Sequence, residues 1–326
     1  MKITKLILFL CCCTLTSWAQ FLKPGFDKSE YRELIYLSSV SFEAPVKAKL
    51  IPKPEHSKLL YKSKAMGLDN AWELWLKDGN TAVLSTRGST LKTESWIENL
   101  YAAMIPAKGK ISIEGTAPFS YTLADDPKAA VHAGYLIATA FLSKDMLPKI
   151  DSCYQTGIRD FLIMGHSQGG AISYLLTAYF YNLQKQGKLP ADIRFKTYCS
   201  AAPKPGNLYF AYQYEQLTQD GWAYNVVNAA DWVPQTPFSV QQLEDFPEVS
   251  PVSLVEHTIQ QQPFFKRLIL KIVYQELQKP TRKAVKKYQR LLGNKMAKKV
   301  KSYLPDFKEP NYYPSNDYVR TGNTIV

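Results

Sequence analysis

The amino-acid sequence predicts an α/β fold with a mostly parallel sheet flanked by helices on both faces. Between residues 160 and 227, apolar runs of strand length alternate with stretches of helical period, and this alternation is typical of parallel sheets. One apolar run passes directly into a glycine-rich string that opens a helical stretch. The chain has 326 residues, of which 46% are hydrophobic, so it can form one large core.

Residues 1–19 have the three parts of a secretory signal peptide. Lys2 and Lys5 precede an apolar stretch, residues 6–16, and small residues close the segment at Ser17 and Ala19. The apolar stretch is too short to span a bilayer, which requires about twenty residues. We therefore expect cleavage after Ala19 and export to the periplasm, the outer surface or the medium.

Residues 20–326 are expected to form one domain. The first predicted elements are a helix over residues 21–40, two strands over 72–76 and 81–85 joined by a tight turn, and helices over 94–104 and 127–150. A strand over 160–164, a helix over 169–184, a strand over 195–200, a helix over 208–216 and a strand over 223–227 follow. The last predicted strand covers residues 317–326 and comes after a long insertion at about 238–314.

The net charge of +12 is concentrated in the insertion. The segment from Lys266 to Lys301 holds thirteen Lys and Arg residues and one acidic residue, Glu276, so it alone accounts for the net charge. No aromatic or helical nucleic-acid recognition motif accompanies these cations in the sequence, so a nucleic-acid partner is not expected.

The string Gly165-His166-Ser167-Gln168-Gly169 connects the apolar run 161–164 to a helical stretch. A serine on such a strand-to-helix turn has a strained backbone, and glycines two residues before and after it leave room for the neighbouring chain. The turn exposes the hydroxyl and directs the first helical N–H groups toward a developing oxyanion. The spacing predicts that Ser167 is a nucleophile.

A carboxylate follows the predicted strand over residues 223–227. Asp231 lies just beyond residues 223–227, at the edge of the sheet where α/β proteins gather their site residues. In hydrolases with the chain order nucleophile, acid, base, Asp231 would orient an imidazole. The alternative is an ordinary loop aspartate that caps a turn.

Five short strings together resemble the class 3 (fungal-type) lipases of the α/β-hydrolase superfamily. In chain order they occupy residues 87–97, 131–135, 165–170, 202–207 and 228–234. The resemblance covers roughly residues 72–237 and implies hydrolysis of carboxylic esters, with no cofactor and no metal. It also implies that the N–H groups of Ser89 and Gln168 hold the oxyanion.

The predicted site also needs a general base. The hydroxyl of Ser167 needs an imidazole to accept its proton, and the chain has four histidines. His56 and His132 precede the nucleophile, and His166 is adjacent to it on the strand-to-helix turn, which directs its side chain away from the hydroxyl. His257 follows Asp231, as chain order requires, whereas the resemblance implies a base after one more strand, which would fall beyond Val326 in an incomplete C-terminus.

The insertion is predicted to contain two basic amphipathic helices. Apolar residues recur at helical spacing from Phe264 to Leu277, Pro280 is expected to end this helix, and a second helix ends near Gly293. Such helices suit an anionic membrane surface, or form a lid over an acyl pocket. The alternative is a solvated face packed on the body of the protein.

The sequence therefore predicts a secreted ester hydrolase with a lipid or ester substrate, most simply a triacylglycerol-type lipase. A phospholipase, another esterase, and a non-catalytic lipid-surface binder that lacks the base are the alternatives. Two cysteines, Cys153 and Cys199, lie outside the signal segment, and the sequence leaves open whether they pair.

Overall fold

The computed structural model describes residues 21–42, 50–115, 117–247 and 250–326. The predicted signal peptide, residues 1–19, lies outside these residues. The described strands are β1 (Ser57–Lys62), β2 (Trp72–Lys77), β3 (Thr81–Thr86), β4 (Met104–Pro106), β5 (Lys108–Ile111), β6 (Phe119–Thr122), β7 (Ala130–His132), β8 (Asp160–His166), β9 (Arg194–Ser200), β10 (Gly206–Asn207), β11 (Ala223–Val226), β12 (Tyr318–Val319) and β13 (Asn323–Ile325).

The described helices lie between these strands and in the insertion. They are α1 (Lys28–Phe42), α2 (Thr93–Leu100), α3 (Ala133–Gln155), α4 (Gln168–Lys185), α5 (Leu208–Leu217), α6 (Pro251–Gln260), α7 (Phe264–Tyr288) and α8 (Lys295–Tyr303). A π-helical turn, Gln289–Asn294, joins α7 to α8. No helix among the described residues has the length and apolar character needed to cross a bilayer.

The main sheet has the strand order β1-β2-β3-β8-β9-β11-β13. Strands β1, β2 and β3 form an antiparallel edge, and β3, β8, β9, β11 and β13 run parallel. Alternate residues of β8 enter two cores: Phe161 and Ile163 pack toward α3 and α4, whereas Leu162 and Met164 pack toward α1. The prediction of a mostly parallel sheet flanked by helices is confirmed.

The register aligns the carboxyl ends of the central strands. Thr86 pairs with Gly165, Gly165 pairs with Cys199, and Cys199 pairs with Asn225. The loops that follow β3, β8, β9 and β11 therefore leave the sheet along one edge, and this edge contains Ser167 and Asp231.

The structure has a second, four-stranded sheet with the order β12-β10-β7-β4. Because of this sheet, two helices have other bounds than predicted. The helix predicted over residues 94–104 ends at Leu100, and Met104 pairs with His132 in this sheet. The helix predicted over residues 127–150 begins only at Ala133 and continues to Gln155. The cause is pairing between segments distant in sequence, which local periodicity does not reveal.

The prediction that Pro280 ends a helix is wrong, because α7 continues through it to Tyr288. The strand predicted over residues 317–326 is divided at Gly322, which has a φ of +83°, into β12 of the second sheet and β13 of the main sheet. Cys153 and Cys199 are buried free thiols.

Candidate active site

Ser167 lies between the end of β8 and the first residue of α4 with backbone angles φ 56° and ψ −128°. This conformation is rare for a residue with a side chain and costs of the order of 1–3 kcal/mol. The N–H of Ser167 donates to the carbonyl oxygen of Ser200 at 2.9 Å, and the carbonyl of Ser167 accepts from Gly170 at 2.9 Å. Strand β9 and helix α4 therefore hold the strained turn in place.

The turn requires glycine on both sides of Ser167. A Cβ atom on Gly165 would lie 2.1 Å from the carbonyl oxygen of Gly169, and a Cβ on Gly169 would lie 2.3 Å from that of Thr86. Both distances are far below van der Waals contact. The structure thus gives a physical reason for the two glycines that the motif predicted.

The loop after β3 lies against the turn. A Cβ on Gly88 would be 3.7 Å from the Cβ of Ser167, so Ser89 follows a residue in close approach to the predicted nucleophile. Among the described contacts, the N–H groups of Ser89 and Gln168 donate no hydrogen bond. Both donors are therefore available to a ligand oxygen.

The side chain of Ser89 is exposed, and its Oγ accepts a hydrogen bond from Nδ2 of Asn99 at 2.9 Å. Asn99 also donates from Nδ2 to the carbonyl of Ser95 at 3.3 Å. Helix α2 thereby orients the Ser89 side chain.

Asp231 is half-buried in the loop after β11. Its Oδ1 accepts from the N–H of Val233 at 3.0 Å, and its own N–H donates to Asn228 at 2.9 Å. Desolvation lowers the pKa of the His166 imidazole, and the negative charge of Asp231 acts in the opposite direction. Asp231 is thus within electrostatic range of the residue that precedes Ser167.

His166 is directed toward β9, where its Nδ1 lies 3.1 Å from Oγ of Ser200. The same Oγ lies 2.8 Å from the hydroxyl of Tyr31 on α1. His257 is exposed on α6, and its imidazole makes no hydrogen bond or ion pair with another described residue. The structure thus does not bring His257 into contact with Asp231.

His132 is fully buried and caps the N-terminus of α3. Its Nδ1 accepts from the N–H of Tyr135 at 3.3 Å, and its Nε2 lies 3.1 Å from the carbonyl oxygen of Asn99, so Nε2 carries the proton. Burial lowers the pKa of His132 to about 3. A neutral structural imidazole fits these contacts.

Sequence reasoning missed a buried polar cluster beneath the turn, formed by Asn70, Ser95, Glu98 and Gln168. All four side chains are buried. Glu98 is part of an unremarkable polar stretch of α2, and its partners are 28 and 70 residues away in the chain. The only local signal is a carboxyl group on the helix face that also carries the apolar Ile97.

Among the described residues, no group of His, Cys, Asp and Glu side chains is arranged to hold a metal ion. What the site presents is a strained serine, two available N–H donors and a neighbouring carboxylate.

The comparisons with known proteins agree with the resemblance seen in the sequence. Residues 83–241 match the family model described as lipase (class 3). A comparison with curated proteins gave no match.

The solved structures that resemble the chain include three fungal lipases. The triacylglyceride lipase of Rhizomucor miehei is 21% identical, with a TM-score of 0.46 over 65% of this chain and 76% of that one. The Lip2 lipase of Yarrowia lipolytica is 20% identical, with a TM-score of 0.46 and coverages of 65% and 75%. The lipase of Rhizopus microsporus var. chinensis is 20% identical, with a TM-score of 0.45 and coverages of 64% and 68%.

Proposed function

Because the chain belongs to the class 3 lipase family and has the α/β-hydrolase fold, we propose that it is a secreted serine ester hydrolase, of triacylglycerol-lipase type. The observation that carries the serine mechanism is the backbone of Ser167, with its φ of 56° at the junction of β8 and α4. Strain of this kind persists only where the surrounding structure enforces it, and it concentrates at functional sites.

In the proposed reaction, Oγ of Ser167 attacks the ester carbonyl while a base accepts its proton. The base then protonates the departing alcohol, which leaves an acyl-enzyme, and water hydrolyses this intermediate to release the carboxylic acid. The N–H groups of Ser89 and Gln168 stabilise the oxyanion. One such donor typically contributes about 10²–10³ in kcat.

Asp231 is the proposed acid that orients the base, and His257 is the proposed base on chain order alone. Since the described contacts of His257 include none with Asp231, this role requires the His257 side chain to approach Asp231 more closely than in the structure. The order of the three residues along the chain supports the assignment.

Large exposed apolar side chains close in sequence to the proposed site residues support an acyl substrate. Leu91, two residues after Ser89, is 101% exposed, Trp96 on α2 is 47% exposed, and Trp232, next to Asp231, is 64% exposed. Apolar side chains exposed together around a reactive group mark a surface that binds apolar ligands. A phospholipase or another esterase would use the same surface.

The first half of α7 supports action at a lipid surface. Six of its apolar side chains, here named the apolar stripe, are between 48% and 79% exposed: Phe264, Phe265, Leu268, Ile269, Ile272 and Val273. At 100° per residue they occupy one half of the helix circumference. Unpartnered apolar area of this kind is typical of helices that lie in a membrane interface.

The second half of α7 carries positive charge at the same helical angles. Lys283, Lys286 and Lys287 are exposed and form no ion pair with a described residue, whereas Arg282 pairs with Glu244. Each basic residue near an anionic surface adds about 1 kcal/mol of attraction. We therefore propose that residues 266–301 contact an anionic membrane surface.

The proposed function is tested with p-nitrophenyl butyrate and p-nitrophenyl palmitate. We expect Ser167→Ala to abolish turnover of both, and Asp231→Asn to lower it about 10³–10⁴-fold without loss of folding, because the imidazole loses its orientation. Vesicle binding without turnover in the parent protein would support the non-catalytic binder instead. Unchanged turnover in Ser167→Ala would refute the nucleophile.

The assignment of the base has its own test. We expect His257→Ala to lose activity to the level of Ser167→Ala while its circular dichroism spectrum is unchanged, and His56→Ala to keep full activity. Full activity of His257→Ala would show that the base is another group.

A further inference from the structure

The side chain of Gln168 is anchored in α2. It is 2% exposed; its Nε2 donates to Oε1 of Glu98 at 2.8 Å and to the carbonyl of Ser95 at 3.1 Å. Its Oε1 accepts from Oγ of Ser95 at 3.1 Å. The residue after the proposed nucleophile therefore has an amide whose donor and acceptor atoms are both bound to one helix.

The hydroxyl of Ser95 also holds the loop that carries Ser89. It accepts the N–H of Thr90, the next residue in the chain, at 3.2 Å. Thr90 is fixed a second time by its hydroxyl, which donates to Oδ2 of Asp69 at 2.8 Å. One buried hydroxyl thus connects the two segments that supply the proposed oxyanion donors.

Glu98 is the fourth member of the cluster with Asn70, Ser95 and Gln168, and its side chain is completely buried. Each of its oxygens accepts from a different amide: Oε2 from Nδ2 of Asn70 at 2.6 Å, and Oε1 from Nε2 of Gln168 at 2.8 Å. Burial raises the pKa of Glu98 well above its ordinary value, although the hydrogen bond from Asn70 opposes this. A glutamine here would set its own NH₂ group against one of the two amide donors.

We propose that Glu98 and Ser95 are positioning residues of the hydrolytic reaction, which hold Gln168 and the Ser89 loop so that their two N–H groups converge on one oxygen. This inference rests on the proposed function. Neither side chain needs to touch substrate, because both act through the backbone segments they bind. A shift of about 1 Å in such donors is enough to cost roughly 10²-fold in rate.

The test compares Glu98→Gln and Ser95→Ala with Glu94→Gln. Glu94 is on the same helix, but its carboxyl group makes no hydrogen bond or ion pair with a described residue, so its variant controls for the loss of a carboxylate from α2. Active sites are counted with a p-nitrophenyl phosphonate, and kcat and KM for p-nitrophenyl butyrate are measured per active site.

We expect kcat per active site to fall about 10-fold or more in Glu98→Gln and Ser95→Ala, with KM within about twofold of the parent, because the oxyanion forms only after the substrate is bound. The inhibition constant of an alkyl boronic acid, whose tetrahedral adduct places an oxygen between the two donors, should rise by the same factor. Glu94→Gln should match the parent in all three quantities.

Parent-like kcat per active site in both cluster variants would overturn the proposal, even if their melting temperatures fall, since that pattern describes a purely structural role. If Glu98→Gln does not fold, Ser95→Ala decides the question, because it removes one hydroxyl and leaves the carboxyl in place. Turnover that survives Ser167→Ala would instead refute the proposed function, and this outcome is distinct from parent-like kcat in the cluster variants.

Discussion

The carbonyl oxygen of His166 lies 2.8 Å from the position that a Cβ atom on Gly88 would occupy. The backbone of the loop that precedes Ser89 thus touches the backbone that precedes Ser167, and only a glycine permits this distance.

Gly88→Ala should therefore displace the loop that carries Ser89. We expect kcat for p-nitrophenyl butyrate to fall about 10²-fold, because an oxyanion donor moves away from the site. Gly109→Ala is the control, since its Cβ would meet only the side chain of Tyr121, with the hydroxyl nearest at 3.3 Å. Equal kcat values for the two variants would contradict the expectation.

Ser167→Gly should be more stable than Ser167→Ala by about 1 kcal/mol. Glycine adopts a φ of 56° without strain, and part of the gain is offset by the greater freedom of glycine in the unfolded chain. Both variants lack the hydroxyl, so the comparison isolates the backbone. Urea unfolding at pH 7 measures the difference, and a lower midpoint for Ser167→Gly would show that the turn is not strained.

His132 should make the protein sensitive to acid. Burial lowers its pKa in the folded chain to about 3, whereas in the unfolded chain it is about 6.5. Between these values the unfolded state binds the extra proton, so the stabilising effect of a neutral His132 is complete above pH 6.5 and is lost as the pH falls toward 3. Well between the two pKa values, the slope of the free energy of unfolding against pH is about 1.4 kcal/mol per pH unit.

His132→Asn keeps a helix-capping acceptor and cannot titrate. Between pH 7 and pH 5, its free energy of unfolding should change less with pH than that of the parent, as measured by urea unfolding at several pH values. Parallel pH profiles for the two proteins would rule out His132 as the source.

The apolar stripe should control activity on insoluble substrate. Replacing Phe265, Ile269 and Ile272 by serine removes three exposed side chains and should weaken binding to phosphatidylglycerol vesicles about 10-fold or more. Hydrolysis of emulsified tributyrin should fall in parallel, while turnover of soluble p-nitrophenyl butyrate stays unchanged. Leu50→Ser, at a side chain that is 84% exposed and lies far from α7 in the chain, is the control for lost apolar area.

The features that sequence reasoning predicted are local. The apolar run of β8, the glycines at 165 and 169 and the helical stretch after Ser167 are contiguous in the chain, and the structure has each of them. Asp231 is predicted as a site residue because it follows a recognisable strand, β11. Its approach to the turn then follows from the order of parallel strands.

The features that were missed depend on distant partners. Residues 130–132 belong to the stretch 127–150, which has helical periodicity, yet they form β7 because β4 and β10 pair with them. Glu98 has the appearance of a solvent-facing residue until Asn70 and Gln168 are brought against it. At Pro280 the local rule was applied too strictly, since a long helix tolerates the loss of one backbone donor.

The conformation of Ser167 is imposed by chain segments that are far apart in sequence. Its N–H is held by Ser200, and the close packing around Gly169 involves Thr86 of β3. A peptide that contains only residues 161–171 would have an ordinary, unreactive serine. Recovery of ester hydrolysis after dilution from denaturant would therefore require that β3, β8 and β9 have already assembled, and the enzymatic assay can serve as a kinetic probe of folding.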